Sequence, residues 1–461
     1  MEERNKKDET INSNKSSNFK SEINEFIKHI EAQADIMPLV SELLKIKMIQ
    51  ENKHVEKFIL ENKFSEIKEP EKKMDTAEDN EILKGSESKQ KLLIPPDKIK
   101  EFVNLVDKVT TSHLAYNLMP INFVVSFVSQ YDAYLGGLIR AMFISKPEIL
   151  NTSDRNILFS DLIKFKSIDE AQEFIVDKQV ESILRESHIS QFKWLESKLD
   201  ISLRKDLPNF NKFIEITERR NLFVHCNGIV SRQYMEICRD NNVNGIENIK
   251  LGQKLNADPE YFHECYQVMV EIGVKLGQVI WRKLIPNELS DADYQLNQVC
   301  FNLLRKGQYK LSTNLLIFAT EILKKHSSNE YFCMLTINKA LGYYLSNQKD
   351  LCNKVLNKHD WSATSDKFKL AIEVLNEDYK KAIKIMTTIG STSKEISQDA
   401  YREWPLFKEF RKSDEFKIKY KEIFGEDLVY LEPKPKDLED ILTGIKMDKE
   451  NLAIGKTKNK N

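Results

Sequence analysis

Between Leu207 and Tyr234 the chain reads LPNFNKFIEITERRNLFVHCNGIVSRQY, and Arg220, Asn221 and His225 lie within it. These residue types can process a phosphodiester without a metal ion. A guanidinium binds phosphate and stabilises the charge that builds on a phosphorane. An imidazole exchanges protons near neutral pH, so it can help move the proton of an RNA 2'-hydroxyl or of the leaving oxygen. On a helix, Asn221 and His225 stand four residues apart on one face, which lets the amide orient the imidazole. Arg220 is five residues from His225, roughly 140° around the axis, and reaches the same region by its length or by facing a second copy of itself.

The element that must carry these side chains is an amphipathic helix. Asn209 is its expected N-cap after Pro208, and Asn227-Gly228 its left-handed stop. Phe210, Phe213, Ile214, Ile216, Phe223 and Val224 fall on one apolar arc, with Lys212, Glu215, Glu218 and Arg219 opposite. Thr217, Arg220 and Asn221 intrude on the apolar arc, and His225 stands at its edge in the last turn, where the backbone dipole favours imidazolium. A buried guanidinium is costly unless paired. The expected counter-ion is Asp132, at the margin of an apolar stripe formed by Phe123, Val124, Phe127, Val128, Tyr131, Leu135, Leu138, Ile139 and Met142.

Arg220, Asn221 and His225, in the order Arg-polar-x3-His and followed by CNGIVS, resemble the R-x4-6-H signature of the HEPN superfamily. Ile121 to Leu150 resembles the first long helix of prokaryotic members, and Tyr261 to Pro286 resembles their closing helix. The resemblance covers about 190 residues. It implies an all-α bundle that dimerises, so that two motifs form a composite, metal-independent endoribonuclease site. Arg220 would hold the phosphate, His225 would act as acid or base and Asn221 would orient His225. Many such proteins act as toxins or in abortive infection and phage defence; others have lost catalysis. The alternative is therefore a non-catalytic interaction module whose polar trio holds a dimer interface or a nucleotide.

Composition narrows the field. Among 461 residues, 31% are charged and 41% hydrophobic, with 14 Gly and 12 Pro, which suits helices better than a sandwich or barrel. The net charge of -1 provides no global attraction for nucleic acid, so RNA requires a local basic patch. Arg204, Lys205, Arg219, Arg232, Arg282 and Lys283 are its candidates. The six cysteines form no CxxC pair and read as small buried hydrophobes, with Cys226 beside His225 the one to watch. No metal site or cofactor is expected. No Gly-rich phosphate loop, HExxH or nucleophile elbow is present, and no apolar run is long enough to span a membrane, so a cytoplasmic location is expected.

The chain divides into four expected parts. Residues 1–91 are charged N-terminal helices and a disordered linker. Their first 20 residues read as disordered, a helix break is expected at Met37-Pro38, and Glu66 to Lys91 is solvated. Residues 92–288 form the HEPN-like helical bundle: Asp97 caps a first helix, Pro120 starts the next, and Gly136-Gly137 is tolerable where another helix packs close. Ser167-x-x-Glu170 is a capping box, Arg232 to Gly252 a loop-rich insertion, and Asp258-Pro259-Glu260 a helix start. Residues 289–430 resemble degenerate tetratricopeptide-like repeats. Val299 to Leu323 is the clearest unit, with Gly307 and Tyr309 at the turn and Ala319 at a small-residue position. Echoes follow around Leu341 to Leu356 and Asp378 to Ile389, and Trp404 to Tyr420 resembles the end of an array. Such stacked pairs offer a surface for a protein trigger or regulator. Residues 431–461 read as a disordered tail.

Overall fold

The structure, a computed structural model, describes residues 2–62, 66–67, 91–92, 94–152, 162–393 and 395–429. It is all-α, apart from two-residue strands Glu66–Ile67 and Lys91–Leu92 and one bridge between Ile229 and Lys254. Most of the expected linker and the whole of the expected tail lie outside the described residues.

Two long helices frame the bundle. Helix α1 spans Glu2–Glu61 and α2 spans Ile99–Ser145. They run antiparallel: Phe26 stacks on Tyr134, Asn52 meets His113 and Phe58 stacks on Phe102. Neither expected proline break occurs. Pro38 lies inside α1 and Pro120 inside α2. Each proline removes one backbone donor, but the turns on both sides are held by packing against the other helix. Helix α1 also starts ahead of the point where the sequence pattern turns helical. Its Phe19, Ile23, Phe26, Ile27 and Ile30 are buried in the same core as the α2 stripe.

Glycines allow this close approach. A Cβ on Gly137 of α2 would collide with the Glu22 carboxylate. The next wall is α3 (Ile168–Leu184), capped as expected by Ser167, whose hydroxyl accepts from the Glu170 amide at 3.1 Å. Helix α4 covers His188–Leu199, and α5, the motif helix, covers Phe210–His225. Within the expected loop-rich insertion, α6 (Arg232–Asp240) seals a small satellite core of Leu222, Val230, Tyr234, Met235 and Cys238.

The closing helix α7 (Pro259–Leu284) begins on its predicted cap, with the Tyr261 amide 2.7 Å from the Asp258 carboxylate. It runs through the centre of the molecule, and Gly273 and Gly277 lie against Phe26 and Ile23 of α1. The main core does not end at the expected bundle boundary. It continues into α8 (Leu289–Arg305), α9 (Tyr309–Ile317) and Leu335 of α10 (Asn329–Leu345).

From α8 onward the helices come in hairpins: α8 with α9, α10 with α11 (Lys349–Asn357), and α12 (Asp366–Leu375) with α13 (Tyr379–Ile389). Each hairpin turns through one residue of positive φ: Gly307, Asn347 and Glu377. The next residue's amide then bonds back to the helix in the same way, Gln308 to the Leu303 carbonyl, Gln348 to Tyr343 and Asp378 to Glu373. A second core joins these pairs to α14 (Gln398–Glu403) and α15 (Asp414–Phe424) through Tyr401, Phe407, Phe410, Phe416 and Tyr420. Among the described residues no helix is long and apolar enough to cross a membrane.

Candidate functional site

Helix α5 buries Phe213, Ile214 and Ile216, and Thr217 satisfies its hydroxyl on the Ile214 carbonyl at 2.9 Å. Its start differs from a standard cap. Asn209 occupies the N-cap but makes no capping bond; its amide instead donates to Glu271 of α7 at 2.9 Å. The far end matches expectation: Asn227 and Gly228 both have positive φ, and the Gly228 amide returns to the Leu222 carbonyl at 3.0 Å. The strand-like stretch after it is pinned by Leu255 N–H to the Gly228 carbonyl at 2.8 Å. A Cβ at Gly228 would meet the Leu255 carbonyl, so this position requires glycine for both conformation and space. The turn that presents His225 is therefore held rigidly.

Arg220 points inward and meets its expected partner. Its Nη2 donates to Asp132 Oδ2 at 2.7 Å, with the two side chains 20% and 30% exposed. The other oxygen of Asp132 lies 2.9 Å from His188 Nε2. His188 was not singled out from the sequence; it opens α4 behind its Ser187 cap and packs edge-on against Phe213. No local pattern reveals this role, because α2 and α4 come together only in the fold. Glu218 completes the cluster. Burial pushes its carboxyl above the usual range, against the lowering influence of a bond from Asn221 and of nearby His188 and Arg220.

Asn221 lies beside Glu218, and no hydrogen bond joins it to His225 among the described residues. His225 and its neighbours Val224 and Cys226 are exposed, although the sequence pattern placed Val224 in the apolar arc. Val224 is 51% exposed, and Ile229, Leu114 and Leu118 are also open to solvent. A cavity of about 270 Å3 opens beside this end of the helix, lined by Leu114, Leu118, Ile121, Phe223, Asn227 and Lys254. A single chain thus places Arg220 inward and His225 outward.

The expected polar outer face of α5 is also corrected. Glu215 is only 2% exposed and accepts from Arg219 at 2.5 Å, Tyr234 at 2.8 Å and Tyr261 at 3.0 Å. The Arg219 guanidinium lies 4.0 Å from the Tyr261 ring centre. This second buried face exists because α6 and α7 cover the side that a lone amphipathic helix would show to water.

The proposed basic patch is reduced by the same effect. Arg219 is held by Glu215, Arg204 is paired with Glu196 at 2.7 Å, and Arg282 with Asp293 at 2.7 Å. Lys205, Arg232 and Lys283 remain exposed. All six cysteines are free, with Cys226 exposed and the other five buried. Among the described residues no group of His, Cys, Asp and Glu is arranged to hold a metal ion. Compared with family models, curated proteins and solved structures, the chain finds no match.

Proposed function

We propose that this protein is a metal-independent endoribonuclease of HEPN type, acting as a toxin or defence effector, with its site assembled from two chains. The observation that carries the reading is the state of Arg220. Its Nη2 is oriented by Asp132, its side chain is 20% exposed, and exposed His225 lies little more than one turn further along the same rigidly ended helix. A guanidinium aligned by a carboxylate with part of its edge open to solvent is suited to a phosphate.

In this reading, the 2'-oxygen attacks phosphorus as its proton is removed, the 5'-oxygen leaves with a proton, and a 2',3'-cyclic phosphate results. His225 carries one of these protons and Arg220 stabilises the phosphorane. Because the two side chains diverge within one chain, the pair that acts together comes from facing helices of a homodimer. The solvent-exposed apolar residues around His225, Val224, Ile229, Leu114 and Leu118, are of the kind that a second copy would cover. The helix pairs from α8 onward would receive a protein trigger or regulator.

The test is expression of wild type and His225→Ala with sequencing of cellular RNA ends, repeated on purified protein in a chelator. New cyclic-phosphate ends that persist in chelator and vanish in the variant are expected; identical RNA ends in both strains would sink the reading. A second reading, a non-catalytic dimer module, is favoured by the Asp132 carboxylate joining Arg220 to His188 as an internal strut. It expects Arg220→Ala to dissociate the dimer and lower the melting temperature while no RNA is cut at any protein concentration.

A further inference from the structure

A second feature, independent of the nuclease reading, lies on the outer side of the helix pairs. Their turn residues Gly307, Asn347 and Glu377 set one register for the second helix of each pair. The fifth and ninth residues after the turn are buried in all three: Ser312 and Leu316 on α9, Cys352 and Leu356 on α11, Ala382 and Met386 on α13. The third, seventh and eleventh residues fall within about 80° of one another on the opposite side. On α9 most of that side is covered: Asn314 donates to Glu271 of α7 at 3.0 Å, and Phe318 is buried. On α11 and α13 the same side is open. It carries Lys354 and Lys358 on one helix and Lys380 and Lys384 on the other, all exposed.

Among the described residues none of these four lysines has an ion-pair partner, and the nearby carboxylates are taken up by other lysines. Glu330 meets Lys367, Asp366 meets Lys369, Glu377 meets Lys349, and Glu373 and Asp378 both meet Lys381. Asp350 is the one carboxylate that α11 and α13 themselves carry. The positive excess reaches His359, just past α11, whose imidazole is pushed below its usual value by burial and then by Lys339 and Lys358.

The other side chains on this surface narrow the partner. A protein is anchored by aromatic or apolar side chains, and a membrane surface by several apolar residues beside the basic ones. Here α11 and α13 expose a single large apolar residue, Leu351, at 37%. Four ammonium groups on flexible stems, with no guanidinium fork among them to read a base edge, suit a partner whose affinity comes from charge and counterion release. The two lysines on each helix stand four residues, about 6 Å, apart along the axis, so the charges form a line rather than a point.

We propose that the open side of α11 and α13 binds the phosphate backbone of a single-stranded nucleic acid without regard to sequence. Each lysine faces a phosphate, and a flexible strand bends to follow positions set by two separate helices.

The experiment is a fluorescence-anisotropy titration of the full chain with a labelled 2'-O-methyl strand of about 20 nucleotides, at several salt concentrations. Such a strand has no 2'-hydroxyl to attack, so it reports binding whether or not the protein cuts RNA. Affinity should fall linearly with salt on logarithmic axes. Lys354→Ala, Lys358→Ala, Lys380→Ala and Lys384→Ala together leave good helix formers at exposed positions, so the chain stays folded. They should weaken binding about tenfold or more and reduce the salt slope by about 3, at about 0.7 per phosphate contact. Lys47→Ala, Lys53→Ala, Lys100→Ala and Lys108→Ala, at exposed positions of α1 and α2, make the same change in net charge and should leave affinity within about twofold. The proposal fails if the strand does not bind at low salt, if the first variant binds unchanged, or if the second weakens binding equally. Poly-glutamate or anionic vesicles that bind more tightly than the strand, and that the first variant releases, would identify an acidic protein or a lipid surface and also overturn it.

Discussion

Asp132 and Arg220, 88 residues apart in sequence, meet at 2.7 Å, and the second oxygen of Asp132 is held by His188. Three helices are tied through one carboxylate, and the guanidinium orientation depends on it. Asp132→Ala should cost about 1–3 kcal/mol, because a mostly buried cation loses its counter-ion while part of its charge is still solvated. Under the nuclease proposal, RNA cleavage should be lost with it. His225→Ala, at an exposed position, should shift stability by about 0.5 kcal/mol or less and, under the same proposal, remove cleavage. Urea unfolding and RNA-end sequencing on both variants check this; cleavage by His225→Ala at the wild-type rate would count against the site.

Glu215 should matter to stability more than any residue in the motif. Glu215→Ala leaves Arg219 and two tyrosine hydroxyls facing an empty buried space, and a loss of about 3–5 kcal/mol is expected. The same carboxylate contributes, after burial itself, to holding the Cys238 thiol up at about 12. Thiol-reactive reagents at neutral pH should therefore label Cys226 and leave Cys238 unmodified until the protein unfolds. Early labelling of Cys238 by mass spectrometry would contradict this packing.

Asp293 predicts an acid-labile joint between α7 and the loop before α10. Burial alone would raise its carboxyl, but bonds from His326, Ser327 and Arg282 outweigh that and hold it at about 2. A folded value below the ordinary one means that the contribution is fully present above about pH 4 and is lost as pH falls toward 2. The urea midpoint should drop through that window, and Asp293→Asn should flatten the drop while lowering stability at neutral pH. An unchanged slope in the variant would remove Asp293 from the account.

The glycines beneath α1 should be unequal. Gly273→Ala forces a methyl into the Phe26 ring, which is itself stacked on Tyr134, and a cost of about 1–3 kcal/mol is expected. Gly137→Ala meets only the Glu22 carboxylate, the flexible end of a side chain that can swing aside, and should cost less. Thermal unfolding of the two variants side by side decides the order.

Legible in the sequence were the all-α class, the α2 stripe, the Ser167 and Asp258 caps, the stop at Asn227-Gly228 and Asp132 as the preferred partner of a buried Arg220, which the fold then brought to it. Each follows from local periodicity, from cap chemistry, or from the rule that a buried guanidinium needs an anion. The tertiary structure decided what local pattern cannot carry. Pro38 and Pro120 stay inside helices because packing on either side outweighs one missing bond each. Glu215 and Arg219 are buried because α6 and α7 cover a face that periodicity assigns to water. His188 joins Asp132 because α2 and α4 converge. Side-chain spacing fixes which faces a helix has, but only the neighbours that fold against it fix which of those faces is inside.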